Sequence, residues 1–360
     1  MAASGFIPSY YELDREEGSV VWNAPSNIAL VKYWGKRKQQ VPANPSISFT
    51  LDGCSTTTRL TFQPRSRKDS DFSFDILLDD ITKEAFRPKI DAFFRRIHPY
   101  LPFLGKYHFT IETSNSFPHS SGIASSASGM AALALCLMDL ERSAHPEMET
   151  DHFNKKSSFL ARLGSGSAGR SIGGPLMEWG YHEEITGSSD LYAIDYPYDI
   201  HPVFRSFRDT ILLVDKGPKE VSSSLGHELM HGHPYAAPRF AQANGHIAEL
   251  KAVLAGGDLE TFIRITEQEA LALHAMMLTS EPYFILMKPN TLKIIERVWQ
   301  KRNEGNLPVC ITLDAGANVH LLYPEAASDA VNTLIESELV AYCENGQYIC
   351  DQIGNGAKKM

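Results

Sequence analysis

YHFTIETSNSFPHSSGIASSASGMAALALCLMDLER, residues 107–142, decides how the rest of the chain is read. Residues 107–113 read as a strand, a Ser/Gly loop follows, and an Ala-rich apolar helix begins near Ser125. Small residues let backbone approach an anion closely, and the open N–H groups of a helix start favour negative charge. Serine hydroxyls there can add contacts to phosphate or Mg²⁺. The loop is not a Walker A motif, because no Gly-Lys-Ser/Thr follows its glycines. A Ser-rich loop that merely caps a helix has the same composition. The loop therefore gains meaning only from what accompanies it.

On the N-terminal side, VVWNAPSNIALVKYW and SISFTLDGCSTTTRLTF predict strands within residues 19–63, broken by a loop. RSRKDSDFSFDILLDD predicts a charged turn and an exposed hairpin. Residues 84–97 have helical spacing, with Phe86, Ile90, Phe93 and Phe94 on one face. On the C-terminal side, residues 152–163 predict a helix, and a second small-residue loop, GSGSAGRSIGG, follows. TILLVDK (210–216) starts a fresh strand. Helices are expected at 235–255, 258–275 and over TLKIIERVWQKRNEG, then a strand over VCITLDAG, a last helix over ASDAVNTLIESEL and a closing strand. Helices and strands mixed in this order predict an α+β chain. At 360 residues two domains are expected, 1–204 and 205–360.

Composition narrows the function classes. Net charge is −9, which opposes a nucleic-acid partner, so an anionic ligand needs a local cluster of Lys and Arg. The five cysteines form no CxxC pair and fit reduced thiols of a cytoplasmic protein. The N-terminus lacks the pattern of a signal peptide, and the longest apolar run, Met130 to Met138, is far short of the ~20 residues of a membrane span.

Four further stretches carry charged side chains in unusual company. NIALVKYWGKR (27–37) puts Lys32, Lys36 and Arg37 beside two aromatics at the end of an apolar run. A buried Lys needs a carboxylate or phosphate partner, whereas an edge-strand Lys would face solvent. ARLGSGSAGRSIGG (161–174) sets Arg170 among small residues, as forked recognition of a carboxylate requires; a surface Arg in a glycine-rich turn is the plainer reading. TLDAGANVH (312–320) ends a strand on Asp314, a position suited to a general base and equally to a turn. His227, Glu228 and His231 match HExxH, which on a continuous helix would bind zinc. Pro234 follows three residues later, which disfavours such a helix.

In this order, NIALVKYWGKR, PSISFTL, SNSFPHSSGIASSASG, ARLGSGSAGRS, KEVSSSLG and TLDAGAN closely resemble the diphosphomevalonate decarboxylases of the GHMP kinase superfamily. The resemblance runs from about residue 23 to 323. It implies an N-terminal domain like ribosomal protein S5 domain 2, a ferredoxin-like C-terminal domain and a homodimer. It implies ATP and Mg²⁺ as cofactors and a phosphorylated mevalonate as substrate, with no separate protein metal site. By motif, Asn115, Gly122, Ser125 and Ser126 would hold ATP. Asp314 would deprotonate the substrate's 3-hydroxyl, Lys32 would pair with that aspartate and the transferred phosphate, and Arg170 would clamp the carboxylate. Tyr33, Lys36, Ser165, Ser167 and Ser223 would hold the substrate. After 3-phosphorylation, loss of phosphate and CO₂ would give isopentenyl diphosphate.

The chain departs from the family at Gly169, where Cys is usual, at His119 and Ser120, where Thr-Ala is usual, and over HELMHGHPY (227–235) after SSSLG. The last departure lies near the substrate side and leaves mevalonate 5-phosphate or a 3,5-bisphosphate open as substrates. A kinase that stops at the 3-phosphate, a zinc hydrolase built on HExxH, and an inactive binding relative are the rival readings. Retention of both Lys32 and Asp314 favours decarboxylation over the first.

Overall fold

The computed structural model describes residues 3–8, 13, 16–65, 71–118, 123–217, 221 and 223–360. Among them the strands are β1 (Gly18–Val31), β2 (Ser46–Pro64), β3 (Ser73–Leu78), β4 (Ile81–Thr82), β5 (Tyr107–Asn115), β6 (Leu176–Trp179), β7 (Ala193–Asp195), β8 (Phe207–Leu212), β9 (Cys310–Thr312), β10 (Val319–Pro324), β11 (Tyr348–Gln352) and β12 (Lys358–Lys359). The α-helices are α1 (Arg87–Ile97), α2 (Ser125–Ala144), α3 (Thr150–Gly164), α4 (Pro202–Arg205), α5 (Ser223–Glu228), α6 (Ala236–Gly256), α7 (Leu259–Leu278), α8 (Pro289–Gly305) and α9 (Ser328–Leu334). The mixture is the α+β class expected from the sequence.

Two sheets organise the chain. The first runs β12-β1-β2-β5-β3-β4, with β6 on β2 and β7 on β6. Its pairings are antiparallel except β3 with β5. The second runs β11-β8-β10-β9 and is antiparallel throughout. β12 returns the end of the chain to the first sheet, where Lys358 and Lys359 pair with Asn23 and Trp22.

Periodicity explains the layers. In β2 the stretch from Cys54 to Phe62 buries alternate residues, as a sheet with one covered face does. The covering layer is α2, whose Ala- and Leu-rich sequence is buried nearly all round because it lies on β1 and β2 with α3 beside it. Helix α1 adds Ile90, Phe93, Phe94 and Ile97 to that core. A second core rests on Phe207, Phe204 and Phe262 and reaches Phe49 of the first sheet. Asp351 also ties the sheets, accepting the backbone N–H groups of Gly53 and Cys54 at 2.7 and 2.6 Å.

One expectation from the sequence is corrected. Residues 73–82 do form a hairpin, and its strand β4 is exposed, but β3 is not. Strand β3 lies in parallel register against β5 and buries Phe74, Ile76 and Leu78. The Asp residues that suggested exposure lie between these apolar positions and beyond the strand end.

Candidate active site

The polar end of a cavity of about 540 Å³ receives residues from the end of β1, the end of β5, the start of α2, the turn after α3 and the turn after β9, among other places. Lys32, Tyr33, Lys36, Asn115, Ser125, Ser126, Ser165, Ser167, Arg170 and Asp314 all line it. Two residues expected in the site are not placed there. Gly122 lies outside the described residues, as do His119 and Ser120, and of Ser223 only the backbone is described, in α5.

Lys32 follows the last residue of β1 and is buried, with its side chain 2% exposed. Its Nζ meets Asp314 Oδ1 at 3.1 Å. Burial lowers the Lys32 pKa, and the Asp314 carboxylate opposes that shift. Asp314 keeps a quarter of its side chain open. The buried-and-paired reading of Lys32 therefore holds over the edge-strand one. Behind the pair, the Lys32 backbone N–H donates to Glu269 at 2.8 Å, and the Asp314 carbonyl lies 3.1 Å from His274 Nε2.

Arg170 lies in a 3₁₀ turn, Gly166–Ser171, and is buried. Its Nη1 donates to Ser46 Oγ and its Nε to Asn27 Oδ1 at 3.4 Å. Nη2 has no hydrogen bond among the described residues. The fork thus arrives pre-aimed, half held by protein and half open to a ligand. Burial lowers its pKa to about 10, still far above neutrality, so it stays charged. Gly169, the departure beside it, has a local cause. A Cβ there would lie 3.1 Å from Ser158 Oγ, and that hydroxyl donates to the Gly169 carbonyl at 2.8 Å.

Helix α2 opens toward the same space. Ala124 before it is left-handed at φ 47°, and Ser126 Oγ stands 3.2 Å from Ser165 Oγ. Thr56 Oγ1 donates to Asn115 Oδ1 at 2.7 Å and lies 2.6 Å from Ser128 Oγ. Beyond these polar groups the cavity becomes apolar, walled by Ile76, Leu78, Phe86, Ile90, Met130 and Leu133. The sequence marks none of those residues for the site: Phe86 and Ile90 read as one face of a helix, and Ile76 and Leu78 as part of an exposed hairpin.

The HExxH motif does not make a zinc site. Helix α5 ends at Glu228, and Gly232 has φ 75°. Amides of Met230 and His231 bond back three residues in tight turns, so His227 and His231 do not share a helix face. Glu228 instead pairs with Lys36 at 3.4 Å. His227 turns the other way, into the cavity wall, with Nδ1 accepting the Gly35 N–H at 2.9 Å. Its presence there had no sequence signal except the break in the family pattern after SSSLG.

Magnesium can be tested against this donor set. Among the described residues no three His, Cys, Asp or Glu side chains gather as a metal cage. The cavity offers the carboxylate of Asp314 and the hydroxyls of Ser125 and Ser126. Such a set suits a magnesium ion carried by nucleotide phosphates, which keeps most of its ligands from phosphate and water.

Known proteins of one family match the chain and its fold. Residues 24–193 match the diphosphomevalonate decarboxylase-like N-terminal domain, and residues 210–357 the mevalonate 5-diphosphate decarboxylase C-terminal domain. The diphosphomevalonate decarboxylase of Ganoderma lucidum is 30% identical over 92% of this chain and 84% of its own. The mevalonate diphosphate decarboxylase structure from Staphylococcus aureus is 27% identical and superposes with TM-score 0.81 over 96% of this chain and 98% of that one. A structure of MDDEF in complex with MVAPP, AMPPCP and magnesium is also 27% identical, with TM-score 0.80 over 95% and 98% of the two chains. Both halves match in order, over most of the chain, and the chain therefore belongs to the diphosphomevalonate decarboxylase family.

Proposed function

We propose that this protein converts mevalonate 5-diphosphate and ATP into isopentenyl diphosphate, ADP, phosphate and CO₂. The observation that carries the reading is the buried Lys32–Asp314 pair at 3.1 Å, facing one cavity with the start of α2 and the half-open fork of Arg170.

The chemistry follows from what each group can do. Asp314 accepts the proton of the substrate's 3-hydroxyl, whose oxygen attacks the γ-phosphorus of ATP, and ADP departs. Lys32 offsets the charge of Asp314 and then of the new 3-phosphate. The C3–O bond breaks with its electron pair leaving on phosphate. The resulting deficit at C3 draws the pair of the C–CO₂⁻ bond into a new C=C bond, and CO₂ leaves. Arg170 orients that carboxylate. Asn115, Ser125 and Ser126 receive the nucleotide phosphates, and the apolar end of the cavity receives the base. Tyr33, Lys36, Ser165, Ser167 and, by motif, Ser223 receive the substrate's phosphorylated arm. Magnesium, held by the nucleotide phosphates and the Ser125, Ser126 and Asp314 side chains, would supply charge neutralisation.

Following ADP, phosphate and CO₂ together from MgATP and mevalonate 5-diphosphate tests the reading. Equal release of the three supports it. ADP without CO₂ would identify a kinase that stops at the 3-phosphate.

The proposal extends to a division of the chain at residues 204/205, a homodimer and a cytoplasmic location. The division falls within the last turn of α4 and is supported by the second sheet, which opens shortly after it at Phe207. The dimer rests on the family pattern and is tested by sedimentation. No helix among the described residues is long and apolar enough to cross a membrane, and fractionation of the source cells tests the location.

A further inference from the structure

The stretch that departs most from the family, HELMHGHPY (227–235), reaches the cavity through His227. Its placement is built rather than incidental. Gly226 lets α5 press on Trp34, since a Cβ there would stand 2.6 Å from the indole Cη2 and Cζ2. The next residue then slides its imidazole between Tyr33 and Trp34, with ring centroids at 4.2 and 4.5 Å. The Gly35 N–H donates to Nδ1 at 2.9 Å. Two rings and one hydrogen bond fix the orientation.

That hydrogen bond also fixes the tautomer. A nitrogen accepting from a backbone N–H carries no proton, so the proton of the neutral ring sits on Nε2. Burial, with Lys36 and Arg170 close by, holds the His227 pKa down to about 3, so the ring is neutral at ordinary pH. Nε2 has no hydrogen-bond partner among the described residues, although the ring lines the cavity. A donor is thus pre-aligned on a wall that also carries Lys36 and Arg170. Arg170 is the fork suited to the carboxylate. Lys36, tethered by Glu228, provides a second charge near the imidazole.

We propose that His227 is a specificity-determining residue whose Nε2–H donates to the distal phosphoryl oxygens of the substrate's diphosphate. The assignment rests on the function proposed above and deepens it. A neutral donor adds a directed hydrogen bond to a phosphoryl group whatever that group's ionisation, while Lys36 adds the undirected charge. Mevalonate 5-phosphate has no distal phosphoryl group and gains nothing from this contact.

The test compares wild type, His227→Phe and His227→Gln with both esters. Phe keeps a ring between Tyr33 and Trp34 but donates nothing, whereas Gln can accept from Gly35 and donate again. His227→Phe is expected to raise KM for mevalonate 5-diphosphate by about 10- to 100-fold, the effect of one hydrogen bond to a charged group. Its kcat, its KM for ATP and its KM for mevalonate 5-phosphate should stay within about threefold, and His227→Gln should recover most of the loss. Equal changes for both esters, or none for the diphosphate, would overturn the proposal in a protein that remains active. A wild type that releases no CO₂ from either ester would overturn the functional reading, and this assignment with it. Imidazole ¹⁵N spectra of the wild type need no variant: the Nε2–H resonance should shift with the diphosphate and stay put with the monophosphate. A resonance indifferent to both would also overturn the proposal.

Discussion

Two sets of buried charges lie back to back in this protein, and they are finished differently. In one, the Glu269 carboxylate accepts from Arg239 through both Nη atoms, from the Lys32 backbone N–H at 2.8 Å, and lies 2.6 Å from His246 Nδ1. Burial alone would raise the Glu269 pKa, but the hydrogen bonds from His246 and Arg239 prevail and hold it low. In the other, Lys32 Nζ meets Asp314 Oδ1 at 3.1 Å, and Arg170 Nη2 has no hydrogen bond among the described residues. The first set has its acceptors filled by protein. The second keeps bonding capacity, at Arg170 Nη2, for something that enters the cavity. Burial of charge is common to both, and the closed set also leaves Arg239 Nε without a hydrogen bond among the described residues, so what marks the active site is unfilled capacity that faces a cavity.

The sharpest way to break this comparison is Asp314→Asn. If the open set is catalytic, turnover should fall by about 10⁴-fold, roughly 5.5 kcal/mol in the barrier, with KM for ATP nearly unchanged. A variant within tenfold of the parent would remove Asp314 from the base role. Next in size is Glu269→Gln in the closed set. Removing the charge strands Arg239 in a buried place, with an expected loss of about 3–5 kcal/mol of stability. An unfolding midpoint equal to wild type would mean that the closed set is not the structural one. Smaller again is Arg170→Lys, which replaces a fork by a point charge and should cost about 10²-fold in kcat/KM, roughly 2.7 kcal/mol. Loss of ADP formation in step with CO₂ would place Arg170 in substrate positioning. Loss of CO₂ alone would tie it to the decarboxylation step.

Legibility in the sequence divides along the same line. The open set could be read because its residues contradict their surroundings: Lys32 at the end of an apolar run, Asp314 at a strand end before Ala-Gly, Arg170 among small residues. Local pattern could name them, but their meeting, which joins positions 282 apart, is implied only by the family resemblance. The closed set left no mark, because Glu269 and Arg239 sit in α7 and α6 as charged residues of helices normally do, and burial comes only from the packing of those helices on β1. The strand–loop–helix of residues 107–142 was read from local pattern alone, since period and small residues report local geometry. The β3–β5 pairing was missed because it is non-local. His227 was drawn toward a zinc reading by a spacing that means a shared face only where the helix continues, and α5 stops at Glu228. Its true setting depends on Gly226, Gly35 and two rings from another segment.

The smallest expected effect concerns that same histidine and asks which set it joins. The ordinary imidazole pKa of 6.5 is lowered to about 3 in the folded chain, chiefly by burial and then by Lys36 and Arg170. Between these values the unfolded chain holds a proton at this ring that the folded chain does not. The stability involved is therefore fully present above pH 6.5 and is lost as the pH falls, by about 1.4 kcal/mol per unit well inside the window. Depressed carboxylates also lose stability in acid, so the measurement is a difference: urea unfolding of wild type and His227→Phe at pH 6 and pH 5. Wild type should lose about 1 kcal/mol more than the variant over that interval. Equal losses would mean that the folded protein protonates His227 as readily as the unfolded chain does. The imidazole would then belong with the charges of the cavity rather than standing among them as a neutral donor, and its contact with a diphosphate would carry the salt dependence of an ion pair.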